Sequence, residues 1–349
     1  VCSSCVSFQT QFSDHYIETN QDTVSFKIPE VFELANIAIV QSGYGKTKPG
    51  RFHTESDYYT EMMSYFEEYQ NHCLIQRLDF DEDEVDKYTA FRDSAFLYTF
   101  EEGQLIKQDI HNAVNGSNIF EQYRNDIEEY ASVSGFRYFY ANHQSFYNEK
   151  ITRYKSKVSV QTMWDWLEQQ FPLSYDHYKI VFSPLMGLAS SSASYFHRGF
   201  RECILFLPSP DIYSRSYSGE MERIMLSRIV FTEINKHYIS YMSDRYENTI
   251  QQVMPPLMEW NIGNIARNPM ATFNEYVSWA LFNVYARQHY DNELCMIIEN
   301  QINQEMRRNG FHRFAEFNSF FMDRYQSRRR HETVSDLYPD IISWFEQSS

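Results

Sequence analysis

The sequence predicts an α+β protein, predominantly helical, with a small β-sheet set into it. Apolar residues recur at helical spacing from about Gly219 nearly to the end, interrupted only by Pro255, Pro256, Pro269 and Gly310. Two β-rich, proline-bounded runs, KIVFSPL (179–185) and ECILFLP (202–208), stand apart from that pattern. Gly and Pro number only 11 and 10 in 349 residues, whereas Tyr and Phe number 27 and 28, so the chain can bury a large core.

Residues 1–20 read as a loose N-terminal segment, and its Cys2 and Cys5 form a lone CxxC with no second pair to complete a zinc ribbon. Residues 21–349 read as one large domain, divisible into a helical half, 21–175, and a half with the sheet and the long helices, 176–349. A strand is expected near Val24 to Ile28. Pro29 suits the first turn of a helix that places Val31, Leu34, Ala35 and Ala38 on one side. The chain then turns at Ser42, Gly43 and Gly45. Ser56 can cap a helix carrying Tyr59, Met62, Met63, Phe66 and Tyr69. The run DFDEDEVDKY spaces its first acids like a calcium loop, but Glu84 and Ala90 replace the required Gly and Glu, so a solvated acidic turn is expected. A helix follows from Phe120 to Tyr130, and another from Gln161 to Phe171 is stopped by Pro172. The two β-rich runs make a hairpin or small sheet around a Ser-rich stretch, Ser190 to Ser194. With no GxSxG elbow, those serines read as a flexible polar loop.

Acidic residues outnumber basic ones by 47 to 31, which repels phosphate backbones and argues against nucleic acid as a partner. The one basic run, Arg328 to Arg330, reads as a solvated helix face. No apolar stretch reaches the length of a membrane span.

The informative constellation lies in the helix from Met221 to Met242. Leu226, Ile229 and Val230 share an apolar face that continues onto Glu233, and His237 follows one turn later. Burying an ionised carboxylate is costly unless a cation, a metal or several hydrogen bonds receive it. A second helix, beginning near Asn268 and Pro269, is apolar almost all round and contains Glu275 beside Trp279 and Phe282. Two acids expected in a core point either to a hydrogen-bonded structural network or to a metal or acid/base site.

The stretches SRIVFTEINKHYISYMSDRY and NPMATFNEYVSWALFNVYARQHY resemble an uncharacterised family of bacterial, often exported proteins, known as a domain of unknown function. VFELANIAIVQSG, SDYYTEMMSYFEEYQNH, YKIVFSPLMG, GFHRF and DLYPDIISWF extend the resemblance over nearly the whole chain. It implies a zincin-like core for residues 21–349. The first stretch would correspond to the HExxH helix of zinc metallopeptidases, with Glu275 at the third ligand position of the gluzincin type. HExxH works because His at i and i+4 bind zinc from one side while the Glu polarises the metal-bound water. Aligned on Glu233, those histidine positions hold Thr232 and Lys236. Members of that family often carry Thr at the first position but keep His at the second, so Lys236 is the sharper departure. His237, displaced by one residue, is turned about 100° round the helix.

The general-base position Glu233 and the acidic ligand position Glu275 are therefore kept, and both histidine ligands are lost. Two arrangements follow. A local bulge could rotate His237 inward, giving His237 and Glu275 as metal ligands with zinc as the cofactor. Alternatively Lys236 places its ammonium where the metal charge would sit, no cofactor is needed, and Lys236 and its neighbour Tyr238 belong to a salt-bridged relic. The second is the expectation. It implies a zincin-like, metallopeptidase-related protein without peptidase chemistry, acting as a binding or structural module for a peptide, protein or glycan. The alternative is an active metallohydrolase using Glu233 as general base with a non-standard ligand set. A metal-free hydrolase pairing Glu233 with His237 or Glu275 as acid and base is a third reading. Family resemblance, with a first residue that is Val rather than Met, implies an exported, periplasmic or cell-surface location.

Overall fold

The computed structural model describes residues 11–348 apart from 79, 81–84, 109, 112–113, 115–117 and 264. The lone CxxC and most of the acidic turn fall outside these residues. The chain forms two compact units: residues 1–158 with 175–216, and residues 159–174 with 217–349. The sequence suggested a division near residue 175. In the structure the segment 159–174 joins the C-terminal unit, and the two strand-like runs join the N-terminal one.

The first unit contains helices α1 (Asp14–Asn20), α2 (Glu30–Gln41), α3 (Gly43–Thr47), α4 (Asp57–Tyr65), α5 (Cys73–Arg77), α6 (Val85–Ser94), α7 (Arg124–Val133), α8 (Phe136–Asn142) and α9 (Gln144–Lys157). Part of the segment expected to be loose is therefore helical: Ser13 caps α1 by accepting the Tyr16 N–H, and Phe12 is buried. Ser56 caps α4 through the Tyr59 N–H, as its position suggested. The expected turn at residues 42–45 is instead a short helix, because the Ser42 hydroxyl accepts the Gly45 N–H and nucleates α3. Gly45 is required there, since a Cβ would lie 2.4 Å from the Ile39 and Val40 carbonyl oxygens.

Strands β1 (Thr23–Lys27), β4 (His177–Phe182), β5 (Ser191–His197) and β6 (Phe200–Leu207) make a sheet in the order β1-β4-β6-β5, while β2 (Tyr98–Glu101) and β3 (Gln104–Lys107) make a separate hairpin. β1, β4 and β6 are parallel and β5 is antiparallel. Helices cover the sheet on both faces: Phe32 of α2 stacks on Phe206, and Tyr154 of α9 packs on Phe182 from the other side. Strands buried on both faces read as continuous apolar runs, which is why residues 179–185 and 202–208 stood out.

The Ser-rich stretch is not a flexible loop but the start of edge strand β5. Arg198 and Gly199, at φ 53° and 87°, make the two-residue turn that folds β5 back on β6. Ser191 is fixed by the buried pair Arg92–Asp93: Arg92 Nη2 donates to its Oγ at 2.8 Å, and that Oγ donates to Asp93 Oδ2 at 2.5 Å.

The second unit consists of helices α10 (Val160–Gln170), α11 (Gly219–Ser243), α12 (Glu247–Val253), α13 (Pro269–His289), α14 (Asn292–Arg308), α15 (Phe314–Gln326) and α16 (Tyr338–Ser348). α11 is buried at every position from Ile224 to Asn235, so that Ser227, Arg228, Thr232, Glu233 and Asn235 are enclosed along with its apolar face. α13 begins as its sequence suggests, with Asn268 Oδ1 accepting the Ala271 N–H and Pro269 in the first turn. Trp166 of α10, Phe231 of α11 and Tyr285 of α13 form one aromatic cluster, the last two stacked at 4.5 Å. The Arg328–Arg330 run lies beyond the end of α15 rather than on a helix face. Arg328 Nη1 donates to the Tyr325 carbonyl at 2.7 Å, closing off the helix C-terminus. No helix among the described residues is long and apolar enough to cross a membrane.

Candidate functional site

α11 and α13 pack along a seam that combines aromatic contacts, Phe231 against Phe282 and Tyr285, with polar ones. At depth, Asn235 and Ser278 bond reciprocally: Asn235 Nδ2 donates to the Ser278 carbonyl at 3.0 Å, and Ser278 Oγ donates to Asn235 Oδ1 at 2.7 Å. Both residues are buried, so this double bond fixes the axial register of the two helices. The residues singled out in the sequence sit around that lock.

Glu233 is buried as expected, with 4% of its side chain exposed. Lys236 Nζ donates to its Oε1 at 2.9 Å from a side chain that is 40% exposed. A fully exposed i,i+3 pair would be worth only about 0.5 kcal/mol, but here only the lysine reaches solvent. The greater consequence is that Glu233 is not left buried without a cation. Burial opposes the Lys236 charge, but Glu233, and after it Glu275, outweigh burial and hold the ammonium above its usual range. Lys236 thus feels both carboxylates, one from each helix.

Glu275 is less enclosed than its apolar surroundings in sequence suggested: it is half-buried, and its Oε2 accepts the Trp279 indole N–H at 2.9 Å. Arg228 of α11 lies over the Trp279 ring at 4.6 Å and reaches Glu305 of α14 at 3.6 Å. Two cations of α11 therefore meet acids and an aromatic face of α13 and α14.

Thr232 turns its hydroxyl back onto its own helix, donating toward the Arg228 and Ile229 carbonyls at 3.0 and 3.1 Å. Burial, with the Lys236 charge adding to it and Glu233 opposing it, pushes His237 down to about 4, so the imidazole is neutral at neutral pH. Tyr238 is fully buried and packs against Phe171.

These donors do not fit the zinc centre that a HExxH helix implies. The first histidine position holds a hydroxyl committed to backbone carbonyls. The second holds an ammonium, which has no lone pair to give. Among the described residues, Glu233, His237 and Glu275 do not bring three ligand atoms within 4.8 Å of one another; His72, Cys73 and Glu129 of the first unit do. There the His72 Nδ1 already accepts the Leu74 N–H at 3.2 Å.

The sequence reading passed over a second polar cluster, on the sheet of the first unit. Glu202 is fully buried and receives His111 Nε2 at 2.6 Å, the Tyr16 hydroxyl at 2.5 Å and Lys179 Nζ at 3.3 Å. The signal was available: Lys179 and Glu202 are charged residues opening otherwise apolar strands. Compared with family models, curated proteins and solved structures, the chain finds no match.

Proposed function

We propose that this chain is a zincin-like protein in which the Lys236 ammonium has taken over the electrostatic role of the metal, leaving a binding or structural module without metallopeptidase chemistry. The observation that carries the reading is the 2.9 Å pair between Lys236 and Glu233, with Glu275 as the second acid acting on the same ammonium. In a zinc peptidase the general-base Glu must be free to take a proton from a metal-bound water. Here its Oε1 is engaged by a cation that holds its charge, so its role is charge balance within a helix seam. The locked Thr232 hydroxyl and the Trp279 bond to Glu275 support the same reading. The ligand class we propose is a peptide, protein or glycan outside the cell, in keeping with the exported family that the sequence resembles.

Hydrolysis of a peptide panel by the wild-type protein and by Glu233→Gln, with and without a chelator, tests this. The expected result is no chelator-sensitive turnover by either. Chelator-sensitive turnover that disappears in Glu233→Gln would establish the active metallohydrolase instead.

A further inference from the structure

The parallel register of the first sheet places Lys27 opposite Val181, and Lys179 opposite Ser25 and Ile204. Lys27, Lys179 and Glu202 therefore share one face. Above that face lies a cavity of about 380 Å³, within the ~300–1,000 Å³ range of small-molecule sites. Val31, Phe96 and Ile110 give it an apolar side; Lys27, Lys179, Tyr16 and His111, with the carboxylate of Glu30, give it a polar one.

A buried ion pair is seldom more stable than apolar residues of the same size. The Lys179–Glu202 pair, with side chains 6% and 0% exposed, is thus a poor device for stability alone, and its cation faces a cavity. Tyr16 joins the pair, donating to Glu202 and accepting from Lys179 Nζ at 2.5 Å, so the ammonium is held in one orientation. Burial, and the nearby charge of Lys27, work against the Lys179 ammonium, and Glu202 works for it.

The charges at the cavity do not cancel. Glu202 balances Lys179, and Arg137 balances Glu30 at 2.9 Å. Lys27 has no carboxylate within ion-pair distance among the described residues. One positive charge is left over on the wall of this cavity, in a protein whose net charge is −16.

We propose that this cavity binds a small organic acid bearing one carboxylate, held between the Lys27 and Lys179 ammoniums, with its apolar body against Val31, Phe96 and Ile110. One bound carboxylate neutralises the surplus charge and relieves the repulsion between the two lysines.

The test uses hexanoate and benzoate, with hexanamide and benzamide as neutral isosteres, and ligand-observed NMR on the full chain. Both carboxylates should bind saturably and the amides at least ~10-fold more weakly. Lys27→Met should weaken carboxylate binding by a similar factor with an unchanged melting temperature, and Thr99→Trp, which fills the cavity, should abolish it. Lys27 is exposed and carries no structural pair, so its variant remains informative even where Lys179→Met fails to fold. The proposal is overturned by no saturable carboxylate binding, by amides that bind as well, or by binding that survives both substitutions.

Discussion

Replacing Thr232 and Lys236 together by histidine should create a site that binds a single zinc ion at this seam. The two substitutions place imidazoles at i and i+4 on one face of α11, beside Glu233, and they remove both the hydroxyl tied to the helix backbone and the ammonium paired with Glu233. Glu275 acts electrostatically on residue 236 already, so the third ligand is close by on α13. Equilibrium dialysis against zinc should give about one equivalent more than the wild type. On the double-histidine background, Glu275→Gln should weaken that binding by more than about 100-fold, because loss of even a partner that only orients a ligand costs roughly 10–100-fold. No gain of zinc in a folded double variant would mean that the seam is an ordinary packed interface and not the remnant of a metal site.

The largest loss of stability is expected from Glu202→Ala. Removing one partner of a buried pair costs about 3–5 kcal/mol, because the remaining cation is left uncompensated. Here Lys179, His111 and Tyr16 all lose the same acceptor. At about 2–4 °C per kcal/mol for a unit of this size, the melting temperature should fall by roughly 6–20 °C. The same cluster sets an acid sensitivity. Although burial pushes Glu202 up, the His111 hydrogen bond and the Lys179 charge overcome it and bring the carboxyl down to about 2 from its ordinary 4.5. Between those values the unfolded chain binds a proton that the folded chain refuses. This contribution is therefore complete above pH 4.5 and is lost as pH falls toward 2. His177, which burial holds at about 4 against an ordinary 6.5, removes stability over an earlier window, from pH 6.5 down to 4, because the unfolded imidazole charges first. Unfolding followed against pH should show both windows, with Glu202→Ala losing the lower one.

The sequence made the helices around α11 and α13 legible because buried helices carry unbroken apolar periodicity, and because Asn268 and Pro269 announce a helix start. It made β4 and β6 visible as apolar runs for a similar reason. What it hid were features that depend on distant pairings. The Ser-rich edge strand looked like a loop because its order comes from the Arg92–Asp93 pair, about a hundred residues earlier, and from an Arg-Gly turn that is not among the strongest hairpin signals. β4 pairs in parallel with β6 on one side and with β1, about 150 residues earlier, on the other, and neither pairing could be read from two neighbouring apolar runs as more than a hairpin or small sheet. At the candidate site, residue identities gave Glu233 as buried, and the resemblance to a HExxH helix pointed to Lys236 as its neutralising partner. They placed Glu275 too deep, because an apolar neighbourhood along the chain does not reveal that Trp279 and Arg228 shelter it at a half-open edge. The Glu202 cluster was passed over because each of its members comes from a different segment: the sheet register aligns only Lys179 with Glu202, and Tyr16 and His111 arrive from α1 and a connecting segment.

The central claim, that Lys236 stands where a metal would, is tested most directly by metal content. The wild-type protein, Glu275→Gln and His237→Ala would each be incubated with zinc, desalted and analysed for metal per chain. The account predicts no zinc that depends on Glu275 or His237; any ion held by His72, Cys73 and Glu129 would survive both substitutions. One equivalent of zinc in the wild type that disappears in Glu275→Gln or His237→Ala would contradict it.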